Sequence, residues 1–175
     1  MEIIAFIEAT LPTSFILENV PALVSDFRDS FAAILHALQS VAGSKYEVHW
    51  DLRSTPLHGG LPQNRTRVFI VGILKSKMKN QFRWSPQVAC APLASIMSDE
   101  PPPSYAPFAN LSKSMQEHVV VASAKIMSSG KDPFEHDYII DIGSSQPYFT
   151  KDVAPTLTAT RCSQRGYWST KRFRR

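Results

Sequence analysis

The sequence predicts an α/β fold, because strand-like and helix-like segments alternate over its first 74 residues. Residues 2–9 look like the end of a helix, and residues 14–17 form a short apolar run that is typical of a buried strand. From residue 20 to about residue 42, apolar side chains recur every three or four positions, which predicts an amphipathic helix. Gly43 ends that pattern, as glycine often does at the carboxyl end of a helix.

Two further strands are expected to pair with each other. Residues 46–52 alternate in polarity, and residues 65–74 contain the dense apolar core VFIVGIL. Residues 54–61 between them are expected to form a loop, and the spacing is too short for a helical crossover. The two strands are therefore predicted to form an antiparallel hairpin at one side of the sheet.

The character of the chain changes near residue 75, where we place a domain boundary. Residues 75–80 are polar and basic, three consecutive prolines interrupt any regular element at residues 101–103, and the apolar clusters become short. In this second part, residues 118–126 are expected to form a strand or a short helix, and residues 137–142 a strand. Residues 156–160 are expected to be briefly extended.

Composition limits the class of protein. With 175 residues, 43% of them hydrophobic and 19% charged, the chain fits an ordinary globular protein. No apolar run approaches the ~20 residues of a membrane-spanning helix, and no basic segment precedes the apolar start. We therefore expect neither a membrane span nor a secretory signal. Cys90 and Cys162 stand far apart without ligand spacing, which argues against a disulfide framework and against a metal site.

The net charge of +4 is concentrated at the carboxyl end. The last fifteen positions hold no acidic residue and six basic ones, which are Arg161, Arg165, Lys171, Arg172, Arg174 and Arg175. Tyr167, Trp168 and Phe173 lie among them, and a basic segment interleaved with aromatic rings suits a phosphate backbone. A solvated surface tail is the alternative.

Glu18 is the first candidate for chemistry. It follows a buried strand and precedes a helix, which is where open α/β sheets place groups that handle ligands. The alternative is helix capping, because the side chain of Glu18 or Asn19 near a helix start satisfies free N–H groups and the positive end of the helix dipole.

Gln63, Arg65 and Arg67 are the second candidate group. They alternate along one predicted strand, so all three are expected on the same face. Two neighbouring guanidiniums repel each other, and such a face makes sense when an anion such as a phosphate or a carboxylate sits against it. The alternative is an exposed edge strand whose charges prevent aggregation.

The order of these segments resembles the cytosine-5 DNA methyltransferase family. That family has a Glu-Asn-Val motif, here in FILENV, followed some forty-odd residues later by Gln-x-Arg-x-Arg and an apolar strand, here LPQNRTRVFIVGI. Glu18 precedes Gln63 by 45 positions. A third segment, residues 154–159 (APTLTA) with Gly-Tyr-Trp at residues 166–168, resembles the later block that supports target recognition in this family.

The resemblance implies a partial Rossmann-like S-adenosylmethionine-dependent methyltransferase fold with a small, mostly β or irregular target recognition region. Residues 1–74 would be the second half of the catalytic domain, residues 75–153 the target recognition region, and residues 154–175 a return segment toward the catalytic domain. In that framework Arg161, Arg165, Lys171 and Arg172 become candidate DNA-binding residues.

The resemblance also implies the chemistry. Such an enzyme flips a cytosine out of double-stranded DNA, and a methyl group passes from S-adenosylmethionine to C5 of the ring. Glu18 matches the catalytic glutamate that holds N3 and the exocyclic amine, and Arg65 and Arg67 match the arginines near the carbonyl oxygen and the adjacent phosphate. Asn19 and Gln63 match supporting residues.

Two parts of the family pattern are missing from this sequence. The nucleophilic Pro-Cys pair does not precede Glu18, and the seven glycines form no cofactor-binding loop. We therefore expect a fragment that is inactive alone, whose cofactor site lies mostly outside it and whose missing half comes from another segment or chain. Its expected location is inside the cell with genomic DNA, in the nucleus if the organism is a eukaryote.

Two other interpretations stay open. The chain is alternatively a non-catalytic DNA-binding module derived from such an enzyme, which predicts salt-sensitive DNA binding that depends on Arg65 and Arg67. It is less well explained as a member of the related branch that methylates transfer RNA, because the QNRTR and PTLTA segments look more like the DNA branch.

Overall fold

The computed structural model describes residues 2–96, 108–133, 135, 138–143, 146–156 and 167–169. The chain divides into two compact units. The first consists of Met1–Ser54 and Thr66–Gln87, and the second of Thr55–Arg65 and Val88–Arg175. Within the described ranges, no helix is long and apolar enough to cross a membrane.

The helices of the first unit follow the predicted pattern with one break. Helix α1 spans Glu2–Thr10, as predicted. The single helix predicted from residue 20 is instead two, α2 (Ala22–Ser25) and α3 (Arg28–Ser44). Phe27 between them has non-helical angles (φ −118°, ψ 47°) and is 60% exposed, so it does not belong to the buried face that its spacing predicted.

The end of α3 agrees with the prediction from the sequence. Helical backbone angles stop before Val41, and Ala42 and Gly43 have positive φ angles of 52° and 69°. Glycine adopts this left-handed conformation without the steric cost that a Cβ imposes at Ala42, so Gly43 is suited to the end of the helix.

Three strands form the sheet of the first unit. They are β1 (Ser14–Asn19), β2 (Tyr46–Ser54) and β3 (Thr66–Leu74), in the order β1-β3-β2. Strand β3 is antiparallel to both neighbours, so the predicted hairpin of the last two strands is confirmed. The predicted loop between them contains a short helix, α4 (Thr55–Gly59).

One face of this sheet packs against the helices. Its core contains Ile7 of α1, Phe31 and Leu38 of α3, and Val68 and Ile70 of β3, all 6% exposed or less. Burial of such side chains is the main favourable term in folding, at about 25 cal/mol per Å² of apolar surface.

Two contacts tie β1 and the segment before it into this core. The ring of Phe15 lies directly over Gly72, its partner on β3. The buried hydroxyl of Tyr46 donates a hydrogen bond of 2.7 Å to the carbonyl oxygen of Pro12, and burial raises the pKa of Tyr46, which keeps this donor protonated.

The second unit contains a helix and a small sheet. Helix α5 spans Lys113–Ser128, so the helical alternative for residues 118–126 is confirmed, and Ser112 caps it by accepting from the Met115 N–H. Strands β4 (Tyr138–Asp141), β5 (Tyr148–Lys151) and β6 (Tyr167–Ser169) form an antiparallel sheet in the order β5-β4-β6. The strand predicted at residues 137–142 is confirmed in β4, and of residues 156–160 only Thr156 is described.

We predict that Gly72→Ala destabilises the first unit by about 1–3 kcal/mol, the usual cost of overpacking a filled core. A Cβ at Gly72 would collide with the Phe15 ring, so the ring or the strand must move. The measurement is chemical denaturation of the purified chain. Gly59→Ala is the matched control, since a Cβ there meets only the Thr55 methyl at 3.6 Å. Equal stability of the two variants would contradict the prediction.

Candidate functional site

Glu18 and Asn19 are the last two residues of β1. The Glu18 side chain is 44% exposed, and the Asn19 side-chain oxygen accepts a hydrogen bond of 2.8 Å from the Val20 N–H. Asn19 therefore shapes the turn that leaves the strand, whereas the Glu18 carboxylate stays accessible at the carboxyl end of β1.

Arg67 near the start of β3 contacts this carboxylate. Its Nε lies 2.8 Å from Glu18 Oε1, its Nη1 donates to the Thr66 carbonyl oxygen at 2.7 Å, and its side chain is 21% exposed. The register explains the contact: Glu18 pairs with Phe69, so Arg67 is its diagonal neighbour on the same face of the sheet. The structure thus brings together two of the three predicted catalytic residues.

The alternation of Gln63, Arg65 and Arg67 had predicted that all three lie on one strand. Gln63 and Arg65, however, do not lie on β3. The strand begins at Thr66, and both residues belong to the second unit. Gln63 instead forms an isolated parallel bridge with Ala154, and the Arg65 carbonyl oxygen accepts from the backbone and hydroxyl of Thr55 at 2.8 and 3.0 Å. For Gln63, the pairing with a distant segment therefore outweighs the local alternation of side chains that had predicted a strand.

This bridge joins two of the sequence motifs. The Asn64 N–H donates to the Ala154 carbonyl oxygen and the Ala154 N–H to that of Pro62, each at 2.6 Å. The Thr156 hydroxyl donates to the Asn64 carbonyl oxygen at 2.5 Å. The start of the APTLTA segment therefore lies against the Pro-Gln-Asn segment.

Other candidates are not placed at this site. Arg161, Arg165, Lys171, Arg172 and Cys162 lie outside the described residues. Cys90 is an exposed free thiol. No group of three His, Cys, Asp or Glu side chains in the described ranges could hold a metal ion.

A second charged pair beside Arg67 was not predicted from the sequence. Arg53 of β2 is the direct partner of Arg67 across the sheet, and its side chain is only 13% exposed. Its Nη1 lies 3.0 Å from Asp51 Oδ2, its Nη2 donates to the Ser85 carbonyl oxygen, and its guanidinium lies 5.4 Å from the centre of the Trp84 ring. The alternation of Asp51 and Arg53 along β2 was the available signal.

The described polar groups can bind a ligand that offers hydrogen-bond donors. A carboxylate such as Glu18 accepts hydrogen bonds only, and the Arg67 guanidinium holds it from the strand beside it. The carboxyl ends of β1 and β2 and the amino end of β3 meet at this edge, which is where α/β sheets handle ligands.

The fold and this site define an α/β protein in which an arginine holds a carboxylate at the end of a strand. The chain belongs to the C-5 cytosine-specific DNA methylase family, whose model matches residues 1–147. The family assignment made from the FILENV and LPQNRTRVFIVGI segments is thereby confirmed.

Three curated relatives are similar to the chain. It is 29% identical over 175 residues to the Type II methyltransferase M.NgoBV of Neisseria gonorrhoeae, a match that covers 94% of the chain and 40% of the relative. It is 31% identical to M.NlaIV of Neisseria lactamica over 61% of the chain and 26% of the relative. It is 39% identical to M1.ScrFI of Lactococcus lactis subsp. cremoris over 45% of the chain and 20% of the relative. The chain therefore spans two fifths or less of these relatives.

We predict that Glu18→Gln changes the free energy of unfolding by less than about 1 kcal/mol, because a partly exposed ion pair contributes little to stability. Denaturation of the variant and the parent chain measures this difference. Arg67→Ala and the double variant complete a double-mutant cycle that isolates the pair. A loss of several kcal/mol would mean that Glu18 is a structural residue.

Proposed function

We propose that this chain is part of a DNA (cytosine-5)-methyltransferase, which transfers a methyl group from S-adenosylmethionine to C5 of a flipped cytosine in double-stranded DNA. The observation that carries the proposal is the 2.8 Å contact between Glu18 and Arg67 at the carboxyl end of β1. Family membership supplies the reaction, and this contact supplies a group suited to hold the base.

Glu18 is the proposed recognition and catalytic group for the base edge. Cytosine offers an amine donor at C4, whereas thymine offers a carbonyl acceptor there. A carboxylate accepts from the amine and from a protonated N3, and this stabilises the ring as charge develops during attack. The partly exposed Glu18 carboxylate is accessible for these contacts.

The two arginines have distinct proposed roles. Arg67 holds the Glu18 carboxylate through its Nε and keeps it directed at the ligand. Arg65 is proposed to bind the carbonyl oxygen of the base or the adjacent phosphate, which a guanidinium recognises through two parallel hydrogen bonds. Asn19 and Gln63 are proposed to support the backbone on either side of these residues.

The remaining assignments follow from the family. Residues 1–74 are the proposed second half of a Rossmann-like catalytic domain, residues 75–153 the target recognition region, and residues 154–175 a return segment. Arg161, Arg165, Lys171 and Arg172 are proposed to contact the DNA backbone, and the protein is proposed to act where genomic DNA lies.

Gly72 and Gly60 do not offer a cradle for S-adenosylmethionine, which supplies an electrophilic methyl group when it is bound, and the glycines of the sequence form no cofactor-binding loop. The Cβ side of Gly72 is filled by the Phe15 ring, and the Ala89 carbonyl oxygen lies 3.2 Å from where a Cβ of Gly60 would be. We therefore propose that the cofactor binds mostly on other parts of the protein, supplied by the same polypeptide or by a partner chain together with the nucleophilic cysteine.

We predict that the chain binds a duplex with cytosine opposite an abasic site about tenfold more tightly than one with thymine there. An unpaired base leaves the duplex at a small cost in free energy, so a difference in affinity between the two duplexes reports on the contacts of the flipped base with the protein. Fluorescence anisotropy at fixed salt measures both affinities. Glu18→Gln should remove the preference, because the amide offers a donor as well as an acceptor.

The matched control is Glu47→Gln on the same face of the sheet at the start of β2, where the carboxylate contacts His49 at 2.7 Å. That variant should keep the preference for cytosine. Equal binding of cytosine and thymine by the unmodified chain would contradict the role of Glu18.

The activity itself is tested in a chimera in which the chain replaces its aligned counterpart in M.NgoBV. We expect 5-methylcytosine in the DNA of cells that express it, and a decrease of about a hundredfold or more with Glu18→Gln, as is typical when a proton-transfer or charge-stabilising group is lost. A soluble, folded chimera whose activity is unchanged by Glu18→Gln would refute the proposed mechanism.

A further inference from the structure

The register of the first sheet offers Arg67 two carboxylates rather than one. Phe69 of β3 pairs with Glu18 of β1 on one side and with Asp51 of β2 on the other. Directly paired residues share a face, and Arg67 is two positions from Phe69. Glu18 and Asp51 are therefore both diagonal neighbours of Arg67, and a side chain as long as arginine reaches across such a diagonal.

Of these two carboxylates, Arg67 contacts Glu18, with 2.8 Å between Arg67 Nε and Glu18 Oε1. Asp51 is engaged by Arg53, with 3.0 Å between Arg53 Nη1 and Asp51 Oδ2. Arg53 is also the direct cross-strand partner of Arg67, and two like charges directly opposite each other repel.

The Arg53 side chain is also held in place by the segment that follows β3. The segment that follows β3 returns over β2, where the Phe82 ring stacks on His49 with 4.6 Å between ring centres and contacts the Trp84 ring at 5.0 Å. Trp84 in turn lies under the Arg53 guanidinium, and the Ser85 carbonyl oxygen accepts from Arg53 Nη2. These contacts leave the Arg53 side chain 13% exposed.

We propose that Arg53 is a positioning residue, which occupies Asp51 and so leaves the Arg67 guanidinium directed at Glu18. Because Arg53 pairs with Asp51, this carboxylate does not compete for Arg67. The positive charge of Arg53 also repels the Arg67 guanidinium toward β1. The inference rests on the proposed function, because the direction of Arg67 matters when the Glu18 carboxylate that it holds receives the base. Neither Asp51 nor Arg53 belongs to the motifs that identify the family in this sequence.

The test follows the Arg67 Nε–H signal in the NMR spectrum of the ¹⁵N-labelled chain, assigned by its loss in Arg67→Lys. In the parent chain this signal should shift with Glu18→Gln and stay constant with Asp51→Asn. In Arg53→Gln the dependence should reverse, because Arg67 turns to the released Asp51. Arg53→Lys should behave like the parent chain, since it keeps a cation beside Asp51.

The same variants are then measured for their preference for an unpaired cytosine over thymine. Arg53→Gln should lose about tenfold of that preference, and the second change Asp51→Asn should restore it by removing the competitor. A residue that merely stabilised the fold would leave the Arg67 signal dependent on Glu18 in Arg53→Gln, so the two readouts together separate a positioning role from a structural one. Arg28→Gln is the matched control, because Arg28 also donates to a backbone carbonyl, that of Ser25 at 3.2 Å, and should leave both readouts unchanged.

The outcomes separate this inference from the proposed function. An Arg67 signal that still depends on Glu18 in Arg53→Gln overturns the positioning role, whatever the chain binds, and so does a failure of Asp51→Asn to restore the reversed signal. A reversed signal in a chain without any preference for cytosine upholds the positioning role and counts against the proposed function. If Arg53→Gln does not fold, Arg53→Met, which keeps the side-chain stem against Trp84, takes its place with the same expected results.

Discussion

The arrangement of the site depends on the register of β3 between β1 and β2. Because Phe69 pairs with Glu18 on one side and Asp51 on the other, the charged side chains of three strands lie on one face. A slip of one residue moves every side chain of a strand to the opposite face. Such a slip of β1 would turn Glu18 toward the helices, away from Arg67.

The packing of β1 against β3 fixes this register. Phe15 is opposite Gly72, the one position of β3 without a side chain, and the aromatic ring occupies the space that results. A shift by two residues would keep the faces but place Phe15 against Ile70 or Leu74, whose side chains already fill their places in the core. The glycine of the VFIVGIL segment therefore positions the carboxylate three residues beyond Phe15.

Local patterns predicted those parts of the fold that local forces determine. The strands and the end of α3 at Gly43 follow from periodicity and from backbone preference, so the sequence indicated them. Gln63 and Arg65 were placed wrongly on β3, which begins at Thr66. Gln63 pairs instead with Ala154, about ninety positions away, and such a distant pairing leaves no local signal. The pairing of Glu18 with Arg67 was expected only through the family resemblance, whereas Arg53 was missed because its importance appears only in the register.

The exposure of the ion pair supports the proposal that Glu18, rather than Arg67, contacts the ligand. Glu18 is 44% exposed and Arg67 is 21% exposed, so the carboxylate is the outer group and the guanidinium supports it from within. An ion pair so close to solvent adds little stability, about 1 kcal/mol at most. Its effect is instead geometric, since a directed N–H restricts the orientation of the carboxylate that it holds. In the proposed function the site must distinguish an amine from a carbonyl on an otherwise similar ring, and this depends on that orientation. The proposed positioning of Arg67 by its neighbours would then matter as much as the pair itself.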